Sequence, residues 1–353
     1  MNIEKERIGI IFGGRSEEHE VSFMSAKAVI KAIDREKYDI VYIGIDREGA
    51  FRIFNGTLDK MEPDTWVNYS ELADLGRLRE KIDFAFPVVH GKYSEDGTLQ
   101  GLLEMLRIPY AGCGVLSSSL CMDKAMAKDI FVKNGIPTCK YIMVTSKDFE
   151  DDFEIIKSKV AEELGDKVYV KPSNSGSSVG ISKVDDLNNL DAALREAFRF
   201  DRRVIIEETI NGREIETGVI GNYQLEVASV GEIIAPKDFY SYESKYDDNA
   251  GTRLEVPARI DTSLSDKIRK TAERVYRVMD CAGFARIDFF VDKDTDDIYV
   301  NEINTIPGFT KFSMFPVVCK DAGIEFSQLI ERIVDLGYER HKDKNNRETV
   351  YRR

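Results

Sequence analysis

Three features of the sequence predict an α/β protein, α+β overall, divided into three domains. Apolar strand patterns alternate with amphipathic helix patterns through residues 1–122, as in a mostly parallel sheet. Two neighbouring strand patterns near the end carry a polar set, Arg286, Asp288, Glu302 and Asn304, where apolar residues belong. A length of 353 residues also exceeds one average core.

The elements follow in order. Residues 7–12, apolar from Ile8 onward, read as a buried strand, followed by a helix over 21–33. Strands over 38–45 and 84–89 and a helix over 99–106 complete the first domain. Ligands of such sheets sit outside the carboxyl ends of the strands, which is where the loops 13–20 and 90–91 fall. A second domain, 123–213, carries helices over 124–134, 149–164 and 190–200 and strands over 140–144, 167–171 and 204–208. The third, 214–353, holds several strands, a polar stretch 236–252, an amphipathic helix 264–279, the polar hairpin and a last helix 326–339. The charged tail 340–353 is expected to fray.

Composition excludes several functions. A formal charge of −13 argues against nucleic acid as the main partner, because binding a phosphate backbone needs a basic footprint. No apolar run approaches the roughly 20 residues that cross a bilayer, and the start is too acidic for a secretory signal. The five cysteines form no Cys-x-x-Cys pair and the three histidines are not spaced with them, which makes zinc improbable. A reduced, cytoplasmic protein that uses small-molecule substrates and touches no membrane is the expectation.

The hairpin points to phosphoryl chemistry. Residues two apart on a strand share a face, so Arg286 projects with Asp288 and Glu302 with Asn304. The turn 292–297 folds one strand onto the other, giving two carboxylates and an amide oxygen beside a guanidinium. Hard oxygen ligands of this kind suit Mg²⁺ bound together with substrate phosphates. Lys171 closes an apolar strand beside a Gly/Ser loop containing Ser177 and Ser178, whose N–H and hydroxyl donors suit phosphates. The loop is not a Gly-x-x-x-x-Gly-Lys-Ser/Thr motif, so a P-loop enzyme is not indicated. Glu207, Glu208 and Ile210 end another strand; their backbone edge, with an acid for a ribose hydroxyl, can hold an adenosine, and an ordinary exposed strand end fits equally well. The tyrosine-rich segment 238–246 reads as a lid. The N–H of Gly308, beside the metal strand, could serve an oxyanion.

Seven motifs in order resemble the ATP-grasp superfamily, and within it the D-alanine–D-alanine ligase family. They are Gly13-Gly14-x-Ser16-x-Glu18-x-Glu20-Val21-Ser22, His90-Gly91-x-x-x-Glu95-Asp96-Gly97-Thr98-x-Gln100-Gly101, Met122-Asp123-Lys124, and Lys171-Pro-Ser-x-x-Gly176-Ser177-Ser178-Val-Gly180. Phe239-Tyr240-x-Tyr242-Glu243-x-Lys245-Tyr246, Arg286-Ile-Asp288 and Glu302-x-Asn304-Thr-x-Pro307-Gly308 complete the series, which spans residues 8–340.

The resemblance implies an ATP-grasp fold that holds ATP between the second and third domains. Lys124, Lys171 and the lid Lys245 would meet phosphates, with Ser177 and Ser178 above them. Glu207, Glu208 and Ile210 would border the adenine, and Glu214 the ribose. Asp288, Glu302 and Asn304 would hold two Mg²⁺ ions, or Mn²⁺ in their place. It also implies that Glu18 binds the first substrate's ammonium and joins Ser177 and Tyr246 in a network that closes the lid. His90 would lie near the first carboxylate and Ser313 would bind the second. Arg286 and Gly308 would stabilise the tetrahedral oxyanion. An apolar Met314 together with a lid that keeps Lys245-Tyr246 implies D-alanine at both sites, and a homodimer is the usual assembly. The rivals are a D-alanine–D-serine or D-lactate ligase, and a nucleotide-binding regulator without turnover.

Overall fold

A computed structural model describes residues 5–234 and 252–348. The lid segment, including Lys245 and Tyr246, lies outside them. Among the described residues the strands form three sheets, of five, five and four strands.

The first sheet contains β1 (Glu6–Gly13), β2 (Tyr38–Ile45), β3 (Phe51–Phe54), β4 (Ser70–Leu72) and β5 (Phe84–Pro87), in the order β4-β3-β2-β1-β5. It is parallel on one side only: β1 pairs in parallel with β2 and β5, while β3 and β4 add an antiparallel edge beyond β2. Ile8, Ile10, Ile11 and Phe12 are fully buried, which explains the unbroken apolar run of β1: helices and loops cover both faces. The helix His19–Ala32 packs on β1, and loop 13–18 carries the chain from the strand end to it.

The second sheet is antiparallel, with β6 (Tyr141–Thr145), β7 (Val168–Pro172), β8 (Ser182–Val184) and β9 (Arg203–Glu208) in the order β6-β9-β7-β8. Val168 and Val170 of β7 point into an apolar cluster with Ile156, Val160, Leu190 and Leu194 from the helices Phe153–Glu163 and Leu190–Phe198. Alternation then sends Tyr169 and Lys171 to the opposite face, where they line the main cleft. The helix expected over 149–164 is instead two, Ser146–Asp151 and Phe153–Glu163. Asp152 causes the break: its carboxylate accepts the Ile155 N–H at 3.2 Å and starts a new helix.

The third sheet runs β12-β11-β10-β13-β14, with β10 (Gly212–Gly221), β11 (Leu225–Ile234), β12 (Arg253–Glu255), β13 (Phe284–Asp292) and β14 (Ile298–Asn304), antiparallel throughout. The helix Thr262–Val278 covers one face through Leu264, Ile268, Ala272 and Val275. Ile287, Phe289 and Val291 point toward it, so Arg286 and Asp288 face the other way. The tail does not fray where expected: the last helix runs Phe326–Asn345. Arg340 stacks 4.0 Å over the Tyr110 ring and Lys344 pairs with Glu104 at 2.8 Å, which ties this end to the first sheet's unit.

Candidate active site

One cavity of about 1220 Å³ opens where the three sheets meet. It is lined by Glu18 and His90 from the first unit and by Lys124, Lys171, Ser177 and Ser178 from the second. The second also supplies Ile210, and the third contributes Glu214, Arg286, Asp288, Glu302, Asn304, Gly308, Ser313 and Met314. Residues about 300 positions apart thus converge. Of the described residues given a catalytic or binding role from the sequence, Glu207 and Glu208 do not line it.

The hairpin is built as the alternation predicts, with one addition. β13 and β14 pair Arg286 with Asn304 and Asp288 with Glu302, and a bulge follows, because Phe289 pairs with Val300. Ile298 and Val300 are buried in the core, so strict alternation would send Glu302 and Asn304 there as well. The extra residue, Asn301, shifts the phase, so that Ile303 turns inward while Asn301, Glu302 and Asn304 line the cleft.

Charge at this face is tightly paired. Arg286 donates through Nε and Nη2 to both oxygens of Asp288, each at 2.7 Å, and its Nε also lies 2.8 Å from Glu216 Oε2. Burial disfavours the cation, but Asp288 and Glu216 outweigh it and hold the guanidinium pKa well above its ordinary value. Asn304 donates its amide N–H to Asp288 at 2.8 Å. Two carboxylates and one amide on one surface are hard oxygen donors that fit Mg²⁺. Among the described residues no group of three or more His, Cys, Asp or Glu side chains could hold a metal ion without other ligands. Glu216 escaped the sequence reading. Its signal was its place two residues after Glu214, on the strand that pairs with Asp288.

Lys124 and Lys171 converge from the second unit. Lys124 donates to the Ser175 carbonyl at 2.6 Å and lies 3.5 Å from Glu302. Asp123 sets its position, capping the helix Lys124–Lys133 at Met126 N (3.0 Å) and pairing with Arg203 at 2.7 Å. Lys171 pairs with Glu207 at 2.7 Å, and Glu207 also lies 3.2 Å from the fully buried Lys128. Two lysines thus enclose the carboxylate of Glu207 away from the cleft. Burial alone would raise its pKa, yet Lys128 and Lys171 pull it down to about 2. Glu208 is likewise engaged, accepting the Lys140 N–H at 2.6 Å.

The Gly/Ser loop reaches the first unit. Ser177 Oγ donates to the Glu18 carboxylate. That carboxylate is seated between two glycines; a Cβ on Gly176 would lie 2.6 Å from Glu18 Oε2 and one on Gly91 2.9 Å from it. Ser177 and Ser178 both have positive φ, 46° and 62°, a local strain of the kind stored at functional sites. His90 is buried, with Nδ1 2.9 Å from the Ile306 carbonyl and Nε2 3.1 Å from Ser25 Oγ. Burial works against its charge, but Glu95, Glu18 and the Ile306 carbonyl prevail and raise its pKa. Ser313 precedes the helix Met314–Asp321 and accepts the Thr310 N–H at 3.2 Å. Met314 is buried against Gly231, where a Cβ would lie 2.4 Å from its sulfur.

Family comparison agrees with this geometry. Residues 7–113 match the D-ala D-ala ligase N-terminus and residues 130–335 the D-ala D-ala ligase C-terminus. The chain belongs to the D-alanine–D-alanine ligase family. It is 43% identical to the D-alanine–D-alanine ligase of Caldicellulosiruptor bescii, over 97% of this chain and 98% of that one. The ligase of the same name from Clostridium novyi is also 43% identical, over 95% and 99%. Among solved structures, the VanG D-Ala:D-Ser ligase from Enterococcus faecalis superposes with a TM-score of 0.85 at 37% identity, covering 95% of this chain and 100% of that one. The D-alanine–D-alanine ligase from Coxiella burnetii gives 0.85 at 32% identity, over 97% and 98%. The fold is thus that of the ATP-grasp ligases, and the protein is an enzyme of a family of ATP-dependent ligases. No helix among the described residues is long and apolar enough to cross a membrane.

Proposed function

We propose that this chain joins two D-alanine molecules into D-alanyl-D-alanine, converting ATP to ADP and phosphate, and so supplies peptidoglycan synthesis in the cytoplasm. The observation that carries this reading is the single cleft lined by Glu18, Lys124, Lys171, Asp288, Glu302 and Gly308. It combines an ammonium-binding acid, two phosphate-binding cations and a hard-oxygen metal face.

A carboxylate is a poor electrophile because its oxygen leaves badly. One carboxylate oxygen of the first D-alanine attacks the terminal phosphorus of ATP, the bond to the bridging oxygen breaks, and ADP departs. The acyl phosphate left behind carries a good leaving group. The second D-alanine's amine then attacks the acyl carbon, the C–N bond forms, the C–O bond to phosphate breaks and the amine proton is lost.

The chain's residues divide this work. Lys124 and Lys171 neutralise phosphate oxygens, Lys171 being aimed by Glu207, with Lys245 of the lid in support. Ser177 and Ser178 cover the phosphates, the Glu207–Ile210 backbone borders the adenine, and Glu214 faces the ribose. Asp288, Glu302 and Asn304 would hold two Mg²⁺ ions, which when bound draw charge from the transferring group. Glu18 holds the first ammonium, and Ser177 and Tyr246 join it when the lid excludes water from the acyl phosphate. Arg286 has Nε and Nη2 spent on carboxylates, so donation to the tetrahedral oxyanion falls to its other Nη protons, assisted by the Gly308 N–H. Ser313, at a helix N-terminus, receives the second carboxylate. The domain limits 1–122, 123–213 and 214–353 and a homodimeric assembly belong to the same reading.

D-Serine as second substrate is the one alternative with a specific observation behind it, the likeness to the D-Ala:D-Ser ligase. Met314 favours D-alanine, since a buried thioether gives a serine hydroxyl no strong partner. ADP release with D-alanine alone, and then with D-serine in competition, separates the two when the products are identified by mass. D-Alanyl-D-alanine as the main product supports the proposal; preferential D-alanyl-D-serine, or ATP binding without D-alanine-dependent ADP release, would overturn it.

A further inference from the structure

The loop that bears Gly308 is anchored on both flanks by the first unit. On one side His90 Nδ1 lies 2.9 Å from the Ile306 carbonyl. On the other, the Phe309 N–H donates to Ser25 Oγ at 3.4 Å. The two anchors are joined, because Ser25 Oγ lies 3.1 Å from His90 Nε2. With a neutral ring, Nδ1–H donates to Ile306 and the Ser25 hydroxyl donates to Nε2 while accepting from Phe309; with a protonated ring, Nε2–H donates to Ser25 Oγ and the same three contacts hold. Ser25 is fully buried and His90 nearly so, so water does not compete for these bonds. Ser25 does not line the cleft, whereas Ile306, Pro307 and Gly308 do. A Cβ on Gly308 would lie 2.9 Å from Ser313 Oγ, so this backbone is pressed between its anchors and the following helix turn.

We infer that Ser25, acting through His90, is a positioning residue that holds the 306–309 backbone so that the Gly308 N–H faces the reacting carbonyl. This rests on the ligation reading above. His90 then serves loop geometry first, since both ring nitrogens already have protein partners, and Ser25 has a part in catalysis without touching substrate. The relay also ties the first unit to the third at the reaction centre. An oxyanion donor works only if it is held rigidly where charge develops, and a loosened donor loses part of that effect.

Ser25→Ala removes both bonds of the hydroxyl and little volume. The wild type and variant are compared for kcat with D-alanine, KM for ATP, ADP affinity by calorimetry, and inhibition by a phosphinate dipeptide, whose tetrahedral centre mimics the transition state. The expected result is a kcat lowered roughly tenfold, less than the hundredfold or greater cost of deleting an oxyanion donor outright. The phosphinate should weaken by a similar factor, with ATP KM and ADP affinity within about twofold. Unchanged kcat, a parallel loss of ADP affinity, or undiminished phosphinate binding would each overturn the relay. If the alanine variant does not fold, Ser25→Cys, which replaces a strong acceptor by a weak one, is read in the same way. A wild type without D-alanine-dependent ADP release would instead overturn the ligation reading, and the relay with it.

Discussion

At the scale of single residues, the site depends on paired charge more than on exposed reactive groups. Glu207 between Lys128 and Lys171 shows why. Its folded pKa of about 2 lies below the ordinary 4.5, so the triad's stability is present above about pH 4.5 and is lost as pH falls toward 2. Lys128 shifts the other way, upward from 10.5, so its contribution is lost only in strong alkali. Glu207→Gln leaves two buried ammonium groups without their carboxylate and should cost about 3–5 kcal/mol. Urea unfolding at pH 7 measures this; a loss under 1 kcal/mol would mean that the triad does not hold charge as described. Gly176→Ala tests the contact by which Ser177 of the second unit meets Glu18 of the first. Its methyl would meet Glu18 Oε2, so the D-alanine KM should rise at least several-fold with the ATP KM less affected. Equal change in both constants would contradict a role confined to the first substrate.

At the scale of elements, backbone register and helix placement decide which side chains reach the cleft. Met314, the first residue of helix Met314–Asp321, packs its thioether on Gly231 of β11, so Gly231→Ala should displace that side chain and weaken the second D-alanine more than ATP. Steady-state kinetics over a wide D-alanine range checks this, and unchanged D-alanine saturation would remove Met314 from the second subsite. These elements also show what could be read in advance. The core strands were legible because apolar runs such as residues 8–12 must be buried, and the shared faces of Arg286 with Asp288 and of Glu302 with Asn304 followed from side-chain period. The bulge at Asn301 was not legible, because Val300-Asn301-Glu302 carries no glycine or other local mark; the need appears only once Val300 is seen in the core. Lys128 was hidden by its helix, where a lysine ordinarily points to solvent, and its burial depends on Glu207, some 80 positions away. Ser25 was hidden for the same reason, since its partners come from β5's following loop and from residue 309. The short edge strands β3 and β4 and the antiparallel edge they form were likewise decided by tertiary pairing.

At the scale of the whole molecule, three sheets are arranged so that no unit holds the site alone. Glu18 comes from the first, Lys171 from the second and Asp288 from the third, and Ser177 to Glu18 and His90 to Ile306 are hydrogen bonds between units. ATP binding should therefore stabilise the molecule as a whole, by an amount set by RT ln(1 + [L]/Kd). A thermal melt with ATP analogue and Mg²⁺ should move upward as one transition, and a shift confined to one of several transitions would contradict a shared site. The central claim is that the cleft activates a carboxylate by phosphorylating it. D-Alanine labelled with ¹⁸O in its carboxyl group tests this most directly, with the released phosphate analysed by mass. One labelled oxygen should pass to phosphate for each dipeptide formed; dipeptide accompanied by unlabelled phosphate would contradict the account.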